Sequence, residues 1–194
     1  MRKTLITIFG TLLILGTSVA QEATYFEKPR KTKKELRKEK KAERNRSIAE
    51  KQAVGKELLE SRDFVLLAST INGADGFTLP VRPTMNFVRV DSSRVTVQYG
   101  EPLRSGGSNG MGGFTFQGRI QNIMVSDKGE GKSYNVVVNF TSPQNAGVMS
   151  VNIFVWGDKA QARFFNGNRN VTFDGKYAKG SETKVWEAGI KNRN

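Results

Sequence analysis

The sequence contains no cysteine and no histidine among its 194 residues. Because cysteine is missing, the chain can form neither a disulfide nor a lipoprotein anchor, and burial must stabilise the fold. Because histidine is missing, the chain lacks the usual general base and the commonest transition-metal ligand. These two absences exclude Ser-His-Asp and Cys-His catalysis, together with zinc or iron sites built from histidine.

Long hydrophobic runs are scarce, and the one that could matter for targeting extends from Leu5 to Leu15. Two basic residues precede this run, and the small residues of Ser18-Val19-Ala20 follow it. The pattern predicts a secretory signal peptide over residues 1–20. We therefore expect an exported protein of the periplasm, the extracellular space or the cell envelope, with no transmembrane segment in its mature form. The basic residues beyond the run leave one alternative, an uncleaved anchor that faces inward.

The sequence has few acidic residues relative to basic ones: 18 Asp and Glu against 31 Lys and Arg, which gives a formal net charge of +13. Residues 21–62 contain fourteen basic and eight acidic residues, whereas residues 63–194 contain fifteen and ten over three times the length. The period of the hydrophobic pattern changes at the same point. The chain therefore divides into a signal peptide, a charged helical segment (21–62), an antiparallel β domain (63–180) and a C-terminal tail (181–194).

Residues 32–62 have the composition of one long helix. Thr32 and Glu35 have the spacing of a capping box, and no proline follows them as far as Arg62. Gly55 is the one weak point, at a cost of about 1 kcal/mol relative to alanine. The first half has almost no apolar stripe, and one is offered only by Ile48, Val54, Leu58 and Leu59. We therefore expect the second half to dock and the first half to project into water.

The first half of this helix is strongly basic. Glu35, Glu39 and Glu43 recur every four residues and share one face, which leaves the other faces mostly basic. Such charge is typical of a solvated spacer helix. The alternative is an electrostatic contact with an anionic envelope surface, such as lipid head groups or acidic glycan, and we expect no nucleic acid partner. The residues predicted to make this contact are Lys28, Arg30, Lys31, Lys33, Lys34, Arg37, Lys38, Lys40, Lys41, Arg44 and Arg46.

Beyond residue 63 the hydrophobic period becomes two. Ten short runs rich in valine and aromatic residues alternate with turn signals, and Arg119 separates two of them, Phe114–Gly118 and Ile120–Val125. No connection is long enough for a crossover helix, so the strands should pair antiparallel. The predicted fold is mainly β, an antiparallel meander that closes as a barrel or a sandwich, preceded by one long basic helix.

Alternation also predicts which side chains face the core. In the run Arg94–Tyr99, Val97 faces inward and Gln98 faces outward. We therefore expect Val97→Asp to unfold the domain and Gln98→Asp to be tolerated. The predicted core consists of Val88, Val90, Val95, Val97, Tyr99, Phe116, Val136, Val138, Ile153, Val155 and Phe173.

Several motifs of the β domain resemble those of a known family. They are Asn86-Phe87-Val88-Arg89-Val90, Val95-Thr96-Val97-Gln98-Tyr99-Gly100, Gly113-Phe114-Thr115-Phe116, Tyr134-Asn135-Val136-Val137-Val138 and Asn168-Arg169-Asn170-Val171-Thr172-Phe173-Asp174-Gly175. In these motifs the segment from Phe64 to about Tyr177 is similar to the secreted Bacteroidetes family called domain of unknown function 4251. The resemblance implies a β-rich exported domain. It carries no known activity, so it transfers no functional residue.

A glycine-rich stretch extends from Arg104 to Gly113. Glycine-rich loops can hold phosphate with their backbone N–H groups, but such loops normally open a helix, and this one opens a strand. No Gly-Lys-Ser/Thr follows it. A plain inter-strand loop and a ligand loop both remain open, and the candidate ligand residues are Arg104, Gly106, Gly107, Asn109 and Gly110.

These observations favour a non-catalytic exported cell-envelope protein that acts as a binding or scaffolding module. A carrier of a small lipid or glycan in a barrel cavity is the alternative. A hydrolase that acts through carboxylates alone is the third and least favoured candidate, because histidine and cysteine are missing. We expect no catalytic residue, no metal and no cofactor.

Overall fold

The computed structural model describes residues 31–73, 76–100, 106–127, 129, 133–143, 145–167 and 169–188. The predicted signal peptide and the candidate site residues Lys28, Arg30 and Arg104 lie outside these ranges. The elements in chain order are α1 (Lys33–Glu60), β1 (Asp63–Gly73), β2 (Thr78–Pro80), β3 (Phe87–Asp91), β4 (Arg94–Tyr99), β5 (Gly106–Gly107), β6 (Met111–Asp127), β7 (Tyr134–Ser142), β8 (Asn145–Trp156), β9 (Lys159–Asn166) and β10 (Arg169–Lys179).

Eight of these strands close into an antiparallel barrel. The order is β1, β3, β4, β6, β7, β8, β9 and β10, and β10 pairs with β1 to complete the ring. Closure removes the unpaired edges that an open sheet would leave. The prediction of a mainly β fold behind one helix is confirmed, and of the two closures that the sequence allowed the structure has the barrel. One short parallel bridge, between β5 and β6, departs from the antiparallel pattern.

The interior of the barrel is a packed core. All eight barrel strands contribute inward side chains to one apolar cluster, which Leu59 of α1 joins from one end. The predicted core residues all belong to this cluster or pack against it. Fully buried valines alternate with outward residues along β7, as the sequence pattern requires. The inward side chains therefore occupy the space that a barrel-cavity carrier would need.

The two strands predicted on either side of Arg119 are a single strand. β6 runs without a break through 17 residues. Its first half pairs with β4 and its second half with β7, and Arg119 stands opposite both Arg94 and Thr141. The register shifts between Ile120 and Asn122, which marks a bulge where β6 changes partner. In the sequence, Arg119 interrupts the apolar alternation and indicated a break between two strands. In the structure, Arg119 marks the position where β6 changes partner from β4 to β7.

The outer face of β4 is not open to solvent at Gln98, as the expected tolerance of Gln98→Asp would require. Gln98 does point away from the core, but it is 0 % exposed because residues 180–188 cross the outer face of β3 and β4. Its side-chain amide donates to the carbonyl of Trp186, and its carbonyl accepts from the N–H of Ala188. The C-terminal segment therefore forms a second layer outside the barrel. The sequence pattern of β4 could not show this layer, since it comes from residues about ninety positions away.

Helix α1 covers one end of the barrel. Its second half contacts β1, β7, β8 and β10, and Leu59 reaches the core. Gly55 makes the close approach possible, because a Cβ at this position would lie 2.6 Å from Cγ1 of Val155 and 2.9 Å from Cζ of Tyr177. The residue that looks weakest by helix propensity thus lies where the helix packs too closely on the barrel to leave room for a side chain.

We expect Gly55→Ala to destabilise the protein, although helix propensity alone predicts a gain of about 1 kcal/mol. The added methyl group must displace Val155 or Tyr177, at a cost of about 1–3 kcal/mol for overpacking. Urea unfolding measures the change. Asn45→Ala, in the exposed half of the same helix, should cause no loss of stability. A gain of stability in Gly55→Ala would show that the helix and barrel do not pack this closely.

Candidate functional site

The basic half of α1 begins at a well-formed cap. The hydroxyl of Thr32 accepts from the N–H of Glu35 at 3.3 Å, and the Glu35 carboxylate accepts from the N–H of Thr32 at 2.8 Å. The pKa of Glu35 is lowered chiefly by the backbone N–H of Thr32 and then by the Thr32 hydroxyl, which donates to the same carboxylate at 3.0 Å. The predicted capping box is therefore present, and it starts the helix ahead of its basic residues.

All residues from 33 to 46 are exposed, as the sequence predicted for the first half of the helix. Five basic residues, here called the basic face, share one side of this half: Lys34, Arg37, Lys38, Lys41 and Arg44. They follow the three-and-four spacing of one helical face. Continued along the helix, the same spacing leads to Gln52, Gly55 and Leu59, which are buried against the barrel. The basic face therefore lies on the same side of the helix as the residues that dock on the barrel. It belongs to the exposed half, here called the overhang.

The ion pairs of this half lie away from the basic face. Lys31 pairs with Glu39 at 2.5 Å, and Arg46 pairs with Glu50 at 3.1 Å. Among the described residues, no carboxylate oxygen lies within 4.0 Å of a basic-face nitrogen. Lys33 and Lys40 flank the basic face without joining it. The five charges are thus presented to solvent without a neutralising partner in the described chain.

Polar contacts hold the docked half of α1 to the barrel. The Lys56 ammonium pairs with the Asp127 carboxylate at 2.7 Å, which raises the pKa of Lys56 and lowers the pKa of Asp127. The hydroxyl of Tyr134 donates to Glu60 at 3.3 Å, and burial, followed by the charge of Glu60, raises the pKa of Tyr134 to about 12. The raised pKa of Lys56 and the lowered pKa of Asp127 keep this ion pair charged through the neutral range, so it holds the docked half of α1 to the barrel there.

The glycine-rich loop is folded against the opposite end of the barrel. The side-chain carbonyl of Asn109 accepts from the N–H groups of Met111 and Gly113, and its amide donates to the carbonyl of Tyr99 at 2.7 Å. Gly106, Gly107 and Gly110 all have positive φ values. The loop's own asparagine therefore occupies N–H groups that a phosphate would need. The structure does not bring this loop and the basic face together.

Two surface grooves were not predicted from the sequence. One, of about 850 Å³, lies beside the C-terminal segment, where Arg89 pairs with Glu187 at 2.6 Å and the Asp63 carboxylate binds Ser181. Through these contacts Arg89 and Asp63 hold the segment in place. The other, of about 730 Å³, contains Arg94 and Arg119 and is here called the arginine groove. Only the pairing register of β4 and β6 brings its two arginines together, so no local motif could have revealed it.

Comparison with known proteins assigns the fold to a family. The model of the family described as domain of unknown function (DUF4251) matches residues 46–177. The chain belongs to the DUF4251 family. A crystal structure of a DUF4251 family protein from Bacteroides eggerthii DSM 20697 is 26% identical, and the match covers 72% of this chain and 94% of that chain with a TM-score of 0.54. None of the curated proteins matches the chain.

The extent of the DUF4251 match separates the two candidate surfaces. It begins at Arg46, so it includes the docked half of α1 and excludes the basic face. Arg94 and Arg119 lie inside it. The barrel and its arginine groove therefore belong to the DUF4251 unit, whereas the basic face is carried by chain that precedes the match. No helix in the described ranges is both long enough and apolar enough to cross a bilayer.

Proposed function

We propose that the protein is exported and acts as a non-catalytic binding module of the cell envelope. It contacts an anionic lipid surface through the basic face of α1. The observation that carries this proposal is the set of five unpaired charges on an exposed, capped overhang. Each Lys or Arg near an anionic membrane contributes about 1 kcal/mol of binding free energy. Five such charges on one side of a helix supply about 5 kcal/mol, which corresponds to a reversible, salt-sensitive contact.

The surroundings of the overhang also suit a membrane surface. Ile48, one turn beyond Arg44, lies 3.7 Å from the position that a Cβ on Gly157 would occupy. Gly157 follows Trp156, whose side chain is 49 % exposed at this end of the barrel, with Lys159 over its ring. Tryptophan favours the interface between lipid head groups and hydrocarbon. The first half of α1 has no apolar stripe, so the contact should be superficial rather than inserted.

The competing functions receive less support. A barrel-cavity carrier needs internal space, and side chains occupy it. A carboxylate-based hydrolase needs a buried acid with a raised pKa, and none of the described Asp and Glu residues is buried. The absence of histidine and cysteine from the whole sequence points the same way.

The test compares two quadruple variants that lose equal charge. Lys34→Gln, Arg37→Gln, Lys41→Gln and Arg44→Gln together remove most of the basic face. Lys31→Gln, Lys33→Gln, Lys40→Gln and Arg46→Gln together form the matched control. Cosedimentation with phosphatidylglycerol vesicles at low salt should show a loss of about 4 kcal/mol for the first variant, roughly a thousandfold. The control should lose much less, and binding of the parent should fade well before 1 M salt as its charges are screened.

Each other outcome has a definite meaning. Equal losses in both variants would show that net charge, rather than one face, determines binding. Unchanged binding in the first variant would move the activity into the β domain. Binding to an acidic polysaccharide but not to vesicles would replace the lipid surface with a glycan surface. No binding by the parent to either would leave α1 as a solvated spacer.

A further inference from the structure

The arginine groove opens where β6 changes partner from β4 to β7. Arg119 is opposite Arg94 on one side and Thr141 on the other. At Gly118 the strands are so close that a Cβ would lie 2.2 Å from the carbonyl oxygen of Thr141. The close contact at Gly118 and the bulge that follows it shape a depression of about 730 Å³ on the barrel surface.

The two arginines in this groove repel each other. Residues directly opposite in an antiparallel pair have Cβ atoms about 4.5–5.5 Å apart, and like charges in this position are destabilising. Both side chains are exposed, and within the described chain no carboxylate oxygen lies within 4.0 Å of either guanidinium. The residues that line the groove include no Asp or Glu. An anion bound between the guanidinium groups would relieve this repulsion.

A second like-charge pair on the barrel provides a contrast. Lys159 and Lys176 are opposite each other on β9 and β10 and are also exposed. They do not line the arginine groove, and Lys159 lies over the ring of Trp156. A lysine is a flexible point charge, whereas the planar guanidinium presents a fork of donors that matches an oxyanion. The arginine pair is therefore the better candidate for a specific site.

The other lining residues indicate what carries the anion. The side chains of Ser93, Gln117, Gln121 and Thr141 supply hydroxyl and amide groups, and no aromatic residue lines the groove. Gln121 donates to the Thr141 hydroxyl at 3.0 Å, which orders two of these groups. Such a lining suits a ligand rich in hydroxyl groups rather than an apolar one.

We propose that the arginine groove binds an acidic oligosaccharide. Its anionic group sits between Arg94 and Arg119, and its sugar hydroxyls exchange hydrogen bonds with the amide and hydroxyl side chains of the groove. This site lies on the barrel wall within the DUF4251 unit. It does not depend on the function proposed for α1.

The test uses the full chain with four of the five basic-face charges removed by the Gln substitutions given above, so that α1 contributes little. Calorimetric titration with a short oligogalacturonate should show binding. Arg94→Gln combined with Arg119→Gln should weaken that binding at least tenfold. The melting temperature should stay close to that of the parent, because the repulsion between the arginines and the attraction of Asp91, opposite Arg94 on β3, are lost together. Lys159→Gln combined with Lys176→Gln removes the same charge from the control pair and should change the affinity less than twofold. Arg119→Lys should keep part of the affinity, since charge is retained and the fork is lost.

Several results would overturn the proposal. The absence of oligogalacturonate binding would do so, as would an unchanged affinity in the double arginine variant. Equal losses in the arginine and lysine variants would show a non-specific charge effect. Inorganic phosphate that binds as tightly as the oligosaccharide would reduce the groove to a simple anion site. A neutral oligosaccharide of the same length that binds equally well would remove the role of the anion.

Discussion

Val97→Asp should abolish the folded state at neutral pH. Val97 is 0 % exposed in the barrel core, with Val88 and Phe116 opposite it on the two neighbouring strands. A carboxylate at this position has no polar partner in the apolar cluster, and burial without one disfavours the charged form by up to 3–5 pKa units, about 4–7 kcal/mol. Domains of this size are stable by about 5–15 kcal/mol in total, so the penalty is comparable with the whole stability.

The pH dependence follows from the direction of the shift. Burial raises the pKa of the new carboxyl in the folded state above its unfolded value of about 3.9. The destabilisation is therefore complete at neutral pH and decreases as the pH falls through the folded-state pKa, because the protonated acid is cheaper to bury. Circular dichroism at pH 7 and near pH 4 should show a gain of folded protein at the lower pH.

Val148→Asp is the matched control for Val97→Asp. Val148 is 68 % exposed on β8, so the same substitution should change stability by less than about 0.5 kcal/mol. If both variants remained folded at pH 7, the assignment of the Val97 side chain to the inward face of β4 would be wrong. If both unfolded, the sensitivity would reflect strand propensity rather than burial.

The local sequence pattern was sufficient to predict features that depend on nearby residues or on a regular hydrophobic period. The capping box at Thr32 and Glu35 needs only a spacing of three residues, and it is present. The inward valines of β4 and β7 follow from a period of two, and all are buried. These features depend on one residue's neighbours along the chain, which is the information that a sequence pattern contains.

The features that escaped the sequence depend on contacts between distant segments. Alternation placed Gln98 on the outer face correctly but could not show that residues 186–188 cover it. The arginine pair exists because Arg94 and Arg119 are in register across two strands. Helix propensity marks Gly55 as a defect, whereas the barrel surface requires it. In each case a long-range neighbour determines what the residue does.

The C-terminal segment should separate from the barrel when Gln98 loses its side-chain hydrogen bonds. The Gln98 amide donates to the carbonyls of Met85 at 3.0 Å and Trp186 at 2.6 Å. Its carbonyl accepts from the N–H of Ala188 at 2.9 Å and from the hydroxyl of Thr115 at 3.2 Å. Gln98 thus binds the segment through backbone groups on both sides of one residue, much as a neighbouring strand would.

Gln98→Met keeps the length of the side chain and removes all four hydrogen bonds. Each buried group left without a partner costs about 1–3 kcal/mol, and release of the segment into water limits the total to about 2–4 kcal/mol. Release would also expose the outward side chains of Val65 and Phe87, which are 0 % exposed. Urea unfolding should therefore show a loss of this size, whereas Gln121→Met, at an exposed glutamine of β6, should cost less than about 1 kcal/mol.

Hydrogen exchange separates release of the segment from general destabilisation. In the parent protein the N–H of Ala188 is bound to Gln98, and the N–H of Trp186 is bound to the carbonyl of Thr84 at 2.9 Å. In Gln98→Met both amides should lose protection, while amides in the centre of β7 keep theirs until global unfolding. If stability were lost while the Ala188 amide stayed protected, Gln98 would stabilise the protein through its contact with Thr115 and not by holding the C-terminal segment. Unchanged stability and exchange would show that the contacts of Arg89, Asp63 and Thr84 hold the segment without Gln98.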